Sequence, residues 1–219
     1  MSFARNIASL PAKILRKFRK FHLHRYSGGY EEYKAIQVKA NKRKLHRVWA
    51  DGNTLESIAR HIVERGSVST GICHGARNGF EVEWLRERLS ADVIGTDISD
   101  TAEQFDHMKT WDFHDENPEW SGKFDFVYTN SLDQAMDPEK ALSSWVKQLS
   151  NGGRIYIEHT LGHSAEKAGA TDPFGADPKI MPKLLNKWGG DVFEHETTLK
   201  PGVKDNNRFE AFVLVVRAK

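Results

Sequence analysis

Apolar residues along the chain fall into short continuous runs that alternate with stripes at helical spacing. Continuous runs predict buried strands, and apolar residues at i, i+3, i+4 and i+7 predict helices. The predicted strands end near His74, Asp97, Asn130 and Glu158. The predicted helices cover 51–65, 78–89, a stretch that begins at Asp137, and 178–188. This alternation predicts an α/β fold, with a mostly parallel sheet and helices on both faces.

The C-terminal part has a different pattern. Residues 192–198 and 208–217 predict an antiparallel pair of strands, because a polar turn joins them. The segment 161–177 is rich in Gly, Ala, Asp and Thr and predicts a flexible loop. With 219 residues and no internal repeat, we expect one domain over residues 51–219 and a basic helical arm or cap over residues 1–50.

A glycine turn lies between the first predicted strand and the helix at 78–89, and it reads Gly75-Ala76-Arg77-Asn78-Gly79. About 20 residues after the glycines, the next strand ends on Asp97. Glycines let the backbone approach a ligand, amides at a helix start face it, and an acid at the next strand tip accepts hydrogen bonds from ribose hydroxyls. The turn lacks the full Gly-x-Gly-x-x-Gly of a dinucleotide site. We therefore expect a mononucleoside-like ligand, for which S-adenosylmethionine is the obvious candidate.

These residues resemble the class I S-adenosylmethionine-dependent methyltransferases, which carry acid-x-Gly-x-Gly-x-Gly at this turn. Here Cys73 replaces the acid and Arg77 replaces the middle glycine. A subgroup of that superfamily with the turn Cys-Leu-Gly-Ala-Arg-x-Gly is more similar still. The resemblance covers roughly residues 50–219 and extends through Trp111–His114, Tyr128–Asp133, Asp137–Lys140, Asn151–Gly153 and Glu158–His159. It implies a Rossmann-like sheet of seven mostly parallel strands with an antiparallel last strand.

The resemblance also implies which residues bind S-adenosylmethionine. Asp97 is expected at the ribose, Asp112 at the adenine amino group, and the backbone amide of Phe113 at a ring nitrogen. Arg77 is expected either to pair with the carboxylate of the methionine end or to point to solvent. The full set of expected cofactor contacts is Cys73, His74, Gly75, Arg77, Gly79, Asp97, Ile98, Asp112, Phe113, Asn130 and Ser131.

Several of these residues also have a structural interpretation. Asp97 could cap the segment that follows it, and Asp112 could cap a turn. Cys73 fits a small buried strand residue better than a nucleophile, because no activating base is nearby. In the helix at 78–89, Val82 and Leu85 are expected to face the core, whereas Glu81 is expected to face solvent.

Methyl transfer is an in-line displacement at a sulfonium, so such an enzyme chiefly aligns the acceptor atom with the methyl group. Where a general base is used, it must reach the acceptor proton directly or through one water. The candidates are Asp133 and His159 at strand tips, with His163 as a weaker one. Each could equally be a hydrogen-bonded polar residue at a strand end. No acid-rich ligand set accompanies the two histidines, so we expect no metal.

Positive charge is concentrated at the N-terminus. Residues 1–50 hold 13 Lys or Arg against 2 acids, and the remaining residues hold 19 against 28. The acid-free segment 1–26 is interpreted as a basic helix packed on the domain or as a frayed arm, with an anionic membrane surface or a nucleic-acid backbone as alternative partners. The chain has one cysteine and no apolar run near the roughly 18 residues of a membrane span. We therefore expect a cytoplasmic protein, with peripheral contact to an anionic membrane surface as a further option.

The expected function is methyl transfer from S-adenosylmethionine to an O or N atom of a small-molecule or sugar (glycan) acceptor. One alternative is an RNA methyltransferase that uses the basic arm. Another is a non-catalytic module that binds S-adenosylmethionine, which the departures at Cys73 and Arg77 favour. A nicotinamide-dependent dehydrogenase fits poorly, because the turn lacks the dinucleotide glycine pattern.

Overall fold

The computed structural model describes residues 20–219, so the segment 1–19 of the expected arm lies outside it. Within the described residues, five helices alternate with nine strands. The helices are α1 (Gly29–Arg43), α2 (Gly52–Val63), α3 (Phe80–Leu89), α4 (Pro138–Gln148) and α5 (Met181–Gly189). The strands are β1 (Phe21–Leu23), β2 (Thr70–His74), β3 (Asp92–Asp97), β4 (Met108–Thr110), β5 (Phe124–Thr129), β6 (Leu149–Thr160), β7 (Phe174–Ala176), β8 (Phe193–Val203) and β9 (Glu210–Ala218). No helix in residues 20–219 is long and apolar enough to cross a membrane.

Seven strands form the central sheet in the order β4-β3-β2-β5-β6-β9-β8. Neighbours from β4 to β6 are parallel, and β9 runs antiparallel to both β6 and β8. The predicted mostly parallel sheet with an antiparallel last strand is therefore confirmed. The strand order reverses between β2 and β5, and ligands of open α/β sheets bind at the carboxyl ends of the strands at such a point.

Two apolar layers hold the helices on the sheet. On one face, α2 and α3 cover a core that includes Leu55, Ile58, Val82, Leu85 and Phe126. On the other face, α4 and α5 cover a core that includes Val127, Trp145, Ile155, Leu185 and Phe193. Each fully buried side chain of this size contributes about 1.5–3 kcal/mol of transfer free energy. The two layers therefore fix the sheet whose strand ends carry the polar residues.

The loop predicted at 161–177 contains a strand. In it β7 pairs antiparallel with β1, so that Phe21 lies opposite Ala176 and Leu23 opposite Phe174. The hydroxyl of Tyr26 donates to the carbonyl of Ala170 at 2.7 Å, close to the same pairing. The expectation of a loop without regular structure was wrong, because this pairing joins segments far apart in the sequence and leaves no local pattern.

Helix α1 lies over the carboxyl ends of β3 and β4. The amide of Gln37 donates to the carbonyl of Thr171 at 3.1 Å, and the hydroxyl of Thr101 donates to Asn41 Oδ1 at 3.0 Å. Tyr33 at 2% exposure, Gln37 and Asn41 form its buried face. Helix α1 is therefore bonded both to the segment at Thr171 and to the segment after β3, and it covers this end of the sheet.

Candidate functional site

A cavity that opens to solvent lies under α1 at the carboxyl ends of the central strands. We call it the nucleoside cavity. Its walls come from α1, from the turn after β2, and from the segments after β3 and β4. Six of the eleven expected cofactor contacts line it together, namely Gly75, Arg77, Asp97, Ile98, Asp112 and Phe113. A concave site with a few convergent polar groups is typical of small-molecule binding.

The turn after β2 has the backbone that close approach of a ligand requires. Gly75 has φ +70°, and a Cβ added there would lie 2.5 Å from the Cβ of Ser131. Gly79 has φ +74° and is the N-cap residue of α3. It does not line the nucleoside cavity. Both positions therefore require glycine for conformational reasons, and Gly75 alone of the two faces the cavity.

Arg77 shapes the turn, and its side chain is partly exposed. Its φ is 45°, in the left-handed region where a glycine costs less. Its backbone N–H donates to Asp97 Oδ2 at 3.1 Å, and its Nη1 donates to the carbonyl of Arg47 at 2.9 Å. Its Nε is buried and has no hydrogen-bond partner among residues 20–219. The guanidinium thus ties the turn to the segment after α1 and keeps one donor free.

Asp97 stands at the tip of β3 with 6% exposure. Its Oδ1 accepts from the backbone N–H of Ser99 at 3.0 Å. Burial raises the pKa of Asp97, and the hydrogen bonds from Ser99 and Arg77 oppose that rise. The short helix that follows is capped by Ser99, whose hydroxyl accepts from the N–H of Thr101. Since a carboxylate has about four lone-pair sites, Asp97 retains acceptor capacity toward the cavity.

Asp112 lines the nucleoside cavity and also has structural partners. Its Oδ1 accepts from the backbone N–H of His114 at 2.9 Å and lies 2.7 Å from His114 Nδ1. Its Oδ2 accepts from the hydroxyl of Tyr30 at 2.8 Å. Burial opposes ionisation, but the hydrogen bonds from His114 and Tyr30 outweigh it and lower the pKa of Asp112. An adenine amino group would therefore share Oδ2 with the Tyr30 hydroxyl. With or without that ligand, Asp112 stabilises the turn through its contacts with His114.

The structure does not place the side chain of His74 in the cavity. His74 is 1% exposed, with Nδ1 2.8 Å from Thr96 Oγ1 and Nε2 2.8 Å from Gln148 Oε1. Its ring stacks on Trp145 at 5.4 Å between centroids. Burial lowers the pKa of His74 to about 4. This histidine is neutral and belongs to the core between the sheet and α4.

Two further expected contacts lie behind the cavity wall. Cys73 is fully buried among the residues under α2 and α3, and burial raises the pKa of its thiol well above the usual range. Ser131 is 2% exposed, and its hydroxyl makes hydrogen bonds to the carbonyl of Gly75 and to Asn130 Oδ1. Neither side chain lines the nucleoside cavity. Cys73 and Ser131 therefore stabilise the turn from behind the cavity wall.

A smaller cavity adjoins the same turn. It shares Gly75 and Arg77 with the nucleoside cavity, and Asn130, Trp49 and Glu81 also line it. Glu81 is 5% exposed. The expectation that it faces solvent was wrong, because the first turn of α3 packs against the end of β5.

The candidate bases are buried, and none of them lines either cavity. Asp133 is 7% exposed, and its Oδ1 has no hydrogen-bond partner among residues 20–219. Its Oδ2 lies 3.7 Å from Nε2 of His163, and burial raises the pKa of Asp133 well above its usual range. His159 instead donates from Nε2 to the carbonyl of Ala176 at 2.9 Å, and burial lowers its pKa to about 4. His163, the weaker candidate, is therefore the histidine that faces Asp133.

The sequence interpretation expected a helical arm or cap over residues 1–50 but named none of its residues as part of the site. Tyr33, Gln37 and Asn41 line the nucleoside cavity and are spaced at i, i+4 and i+8, which places them on one face of a helix. This spacing is visible in the sequence. Two of the three residues are amides, which are unusual on a helix face that only packs against an apolar core. Thr171 and Asp172 also line the cavity, and no local pattern indicates them.

Comparisons with known proteins agree with this geometry. Residues 72–157 match the family model described as a methyltransferase domain. The comparison with curated proteins gave no match. The structure of 1,6-didemethyltoxoflavin-N1-methyltransferase from Burkholderia thailandensis, with bound 1,6-didemethyltoxoflavin and S-adenosylhomocysteine, is similar at a TM-score of 0.68 and 14% identity, over 90% of this chain and 94% of that one.

Two further solved structures have the same fold. The N-methyltransferase NodS from Bradyrhizobium japonicum WM9, in complex with S-adenosylhomocysteine, has a TM-score of 0.58 and 14% identity over 84% of this chain and 98% of that one. The [4+2]-cyclase SpnF has a TM-score of 0.63 and 10% identity over 85% of this chain and 94% of that one. At such identities the likeness shows the fold alone, and the cyclase illustrates that one fold carries more than one chemistry.

The strand order, the glycine turn and the acid at the tip of β3 define a Rossmann-like fold, in which nucleoside ligands bind at this edge of the sheet. Residues 72–157 match a methyltransferase domain, and the fold of the chain is similar to that of the solved methyltransferases above. The match over residues 72–157 bears out the prediction of a methyltransferase domain, and the solved structures bear out the predicted fold.

Proposed function

We propose that the protein binds S-adenosylmethionine in the nucleoside cavity and transfers its methyl group to an O or N atom of a small-molecule or sugar acceptor. The observation that carries the cofactor part is the position of Asp97. Its buried carboxylate lies beside Gly75 in the cavity wall and keeps acceptor capacity toward the ligand. Ribose hydroxyls are the donors that fit an acid at this strand tip.

A small acceptor is supported by the cover over this end of the sheet. Helix α1 and the loop at Thr171 and Asp172 both line the nucleoside cavity and are joined by the Gln37–Thr171 hydrogen bond. A duplex or a long single strand of RNA would require this cover to move. The structurally similar 1,6-didemethyltoxoflavin-N1-methyltransferase was solved with 1,6-didemethyltoxoflavin and S-adenosylhomocysteine bound. Acceptor screening should therefore begin with small hydroxyl and amine compounds and with sugars.

We place the general base at Asp133, with His163 beside it. Asp133 follows β5, where open α/β sheets bind ligands, and its Oδ1 has no partner among residues 20–219. Its raised pKa brings the carboxyl toward the range in which a base can accept a proton from an acceptor hydroxyl or amine. We do not carry His159 into the mechanism, because its Nε2 is committed to the carbonyl of Ala176.

Calorimetric titration of S-adenosylhomocysteine into the wild type and Asp97→Ala tests the cofactor part, with NAD as a control ligand. Loss of one charge-assisted hydrogen bond costs about 1.5–3 kcal/mol, or roughly 10- to 100-fold in Kd. Asp92→Ala is the matched control, because Asp92 is an exposed acid at the other end of β3. No binding to the wild type would contradict the proposal. Binding without methyl transfer to any acceptor would favour the non-catalytic module.

We also propose that the N-terminal segment contacts an anionic membrane surface. The described end of that segment exposes Phe21 at 45% and Leu23 at 36% beside Lys20 and Arg25, a combination that suits a negatively charged interface. Binding to vesicles with and without phosphatidylserine should fall for Phe21→Ser/Leu23→Ser and at high salt. Unchanged binding, or binding of RNA in place of vesicles, would refute this assignment.

A further inference from the structure

The turn lacks a carboxylate where the resembled motif has one. Cys73 occupies that position, and its thiol is fully buried and kept neutral by burial. If the nucleoside cavity holds S-adenosylmethionine as proposed above, the charged amino-acid end of that ligand still needs partners. An ammonium left without a hydrogen-bonded counter-charge in a partly buried site is costly.

The smaller cavity offers these partners. It begins at Gly75 and Arg77, which it shares with the nucleoside cavity, so a ligand that passes over the turn can occupy both. Its lining contains two guanidinium groups, from Arg47 and Arg77, and one carboxylate, from Glu81. A site with both signs of charge complements an amino-acid zwitterion, which carries one ammonium and one carboxylate.

Glu81 is positioned by its neighbours. Its Oε1 accepts from Nδ2 of Asn130 at 3.3 Å, so the end of β5 holds the carboxylate against the first turn of α3. Cys73 lies close enough for the charge of Glu81 to affect the thiol. A carboxylate is therefore available near Cys73, eight residues further along the chain in the first turn of α3.

Arg77 supplies the complementary charge. Its Nη1 already bonds to the carbonyl of Arg47, but its Nε is buried without a partner among residues 20–219. A buried, unpaired donor on a charged group costs free energy until a ligand satisfies it. A carboxylate in the smaller cavity would meet this donor, and such charge-assisted bonds are the stronger class of hydrogen bond.

We propose that Glu81 replaces the missing acid of the turn and binds the α-ammonium of the methionine end of S-adenosylmethionine, while Arg77 binds its carboxylate. This inference depends on the proposed function. It adds a specificity role, because a nucleoside without the amino-acid end would occupy the nucleoside cavity without touching Glu81.

Two ligands and one isosteric substitution test this assignment. S-adenosylhomocysteine carries the amino-acid end, and 5′-methylthioadenosine lacks it. Glu81→Gln should weaken S-adenosylhomocysteine roughly 10- to 100-fold and change 5′-methylthioadenosine less than about twofold. Glu83→Gln, on the exposed side of α3, is the control and should change neither. Equal losses for both ligands, or no loss for S-adenosylhomocysteine, would overturn the inference.

Failure of the proposed function has a different result, because neither ligand would then bind the wild type. A second measurement needs no variant and covers the case in which Glu81→Gln does not fold. Burial raises the pKa of Glu81 to about 7, so an ammonium that binds beside it near pH 7 should expel about half a proton. Calorimetry in buffers of different ionisation enthalpy should detect this release with S-adenosylhomocysteine but not with 5′-methylthioadenosine. Equal release with both would refute the contact.

Discussion

The buried carboxyl of Glu81 should make the unliganded protein less stable as the pH rises. Burial raises its pKa from 4.5 to about 7; the charge of Arg77 opposes that rise and the charge of Glu158 adds to it. Cys73 on β2 and Tyr128 on β5 also face it. Between the unfolded and folded pKa values, the unfolded chain gives up its proton while the folded protein keeps it. A raised carboxyl pKa therefore contributes stability at low pH that is lost as the pH rises toward 7.

The magnitude follows from the width of that interval. One pKa unit corresponds to about 1.4 kcal/mol, so a rise from 4.5 to about 7 removes about 2 to 3 kcal/mol of unfolding free energy between pH 5 and pH 8. Glu81→Gln is close to isosteric, keeps an acceptor for Asn130 and cannot ionise. We expect the variant to gain about 2 to 3 kcal/mol relative to the wild type over this pH interval.

The assay is urea unfolding of the wild type and the variant at several pH values, with the difference in unfolding free energy plotted against pH. Glu83→Gln provides the reference for the loss of one exposed charge from the same helix. A difference for Glu81→Gln that stays constant between pH 5 and pH 8 would refute the reasoning. The same substitution should weaken S-adenosylhomocysteine, so the residue would exchange stability for binding, as functional sites commonly do.

Three other substitutions give independent tests. Lys204→Met leaves the two buried carboxylates that contact the Lys204 ammonium without a counter-charge. The variant should lose about 3–5 kcal/mol of unfolding free energy in urea. A loss below about 1 kcal/mol would contradict the burial of this ion pair. Arg77→Gly should be about 1 kcal/mol more stable than Arg77→Ala, because φ is 45° there; the reverse order in thermal unfolding would exclude the left-handed backbone. Asp133→Asn should bind S-adenosylhomocysteine as the wild type does and lose about 100-fold or more in kcat once an acceptor is known. The wild-type rate should rise with pH as this raised-pKa carboxyl ionises, and a flat profile in both proteins would exclude Asp133 as the base.

Local spacing was sufficient for the part of the site built from one strand, one turn and the next strand. Gly75, Arg77 and Asp97 meet at the nucleoside cavity because parallel neighbours β2 and β3 bring their carboxyl ends to the same edge. The mostly parallel sheet was predictable because short apolar strands alternate with helices along the chain, and the antiparallel last strand followed from the family resemblance.

The positions of individual side chains at strand ends were less predictable. His74 ends β2 as expected, but its ring turns to Trp145 and Gln148, and no pattern within the strand distinguishes a ligand contact from a core contact. Glu81 follows the polar spacing of an exposed helix face, yet the end of β5 covers it. The contact between Tyr30 and Asp112 and the pairing of β1 with β7 join distant segments, so tertiary packing alone determines them.

The most direct test of the account is the crystal structure of the protein with S-adenosylhomocysteine. We predict ribose oxygens within about 2.6–3.2 Å of the Asp97 carboxylate, adenine beside Phe113 under α1, and the ligand ammonium at the same range from Glu81. A ligand bound elsewhere, or a nucleoside whose ribose does not contact Asp97, would contradict the account.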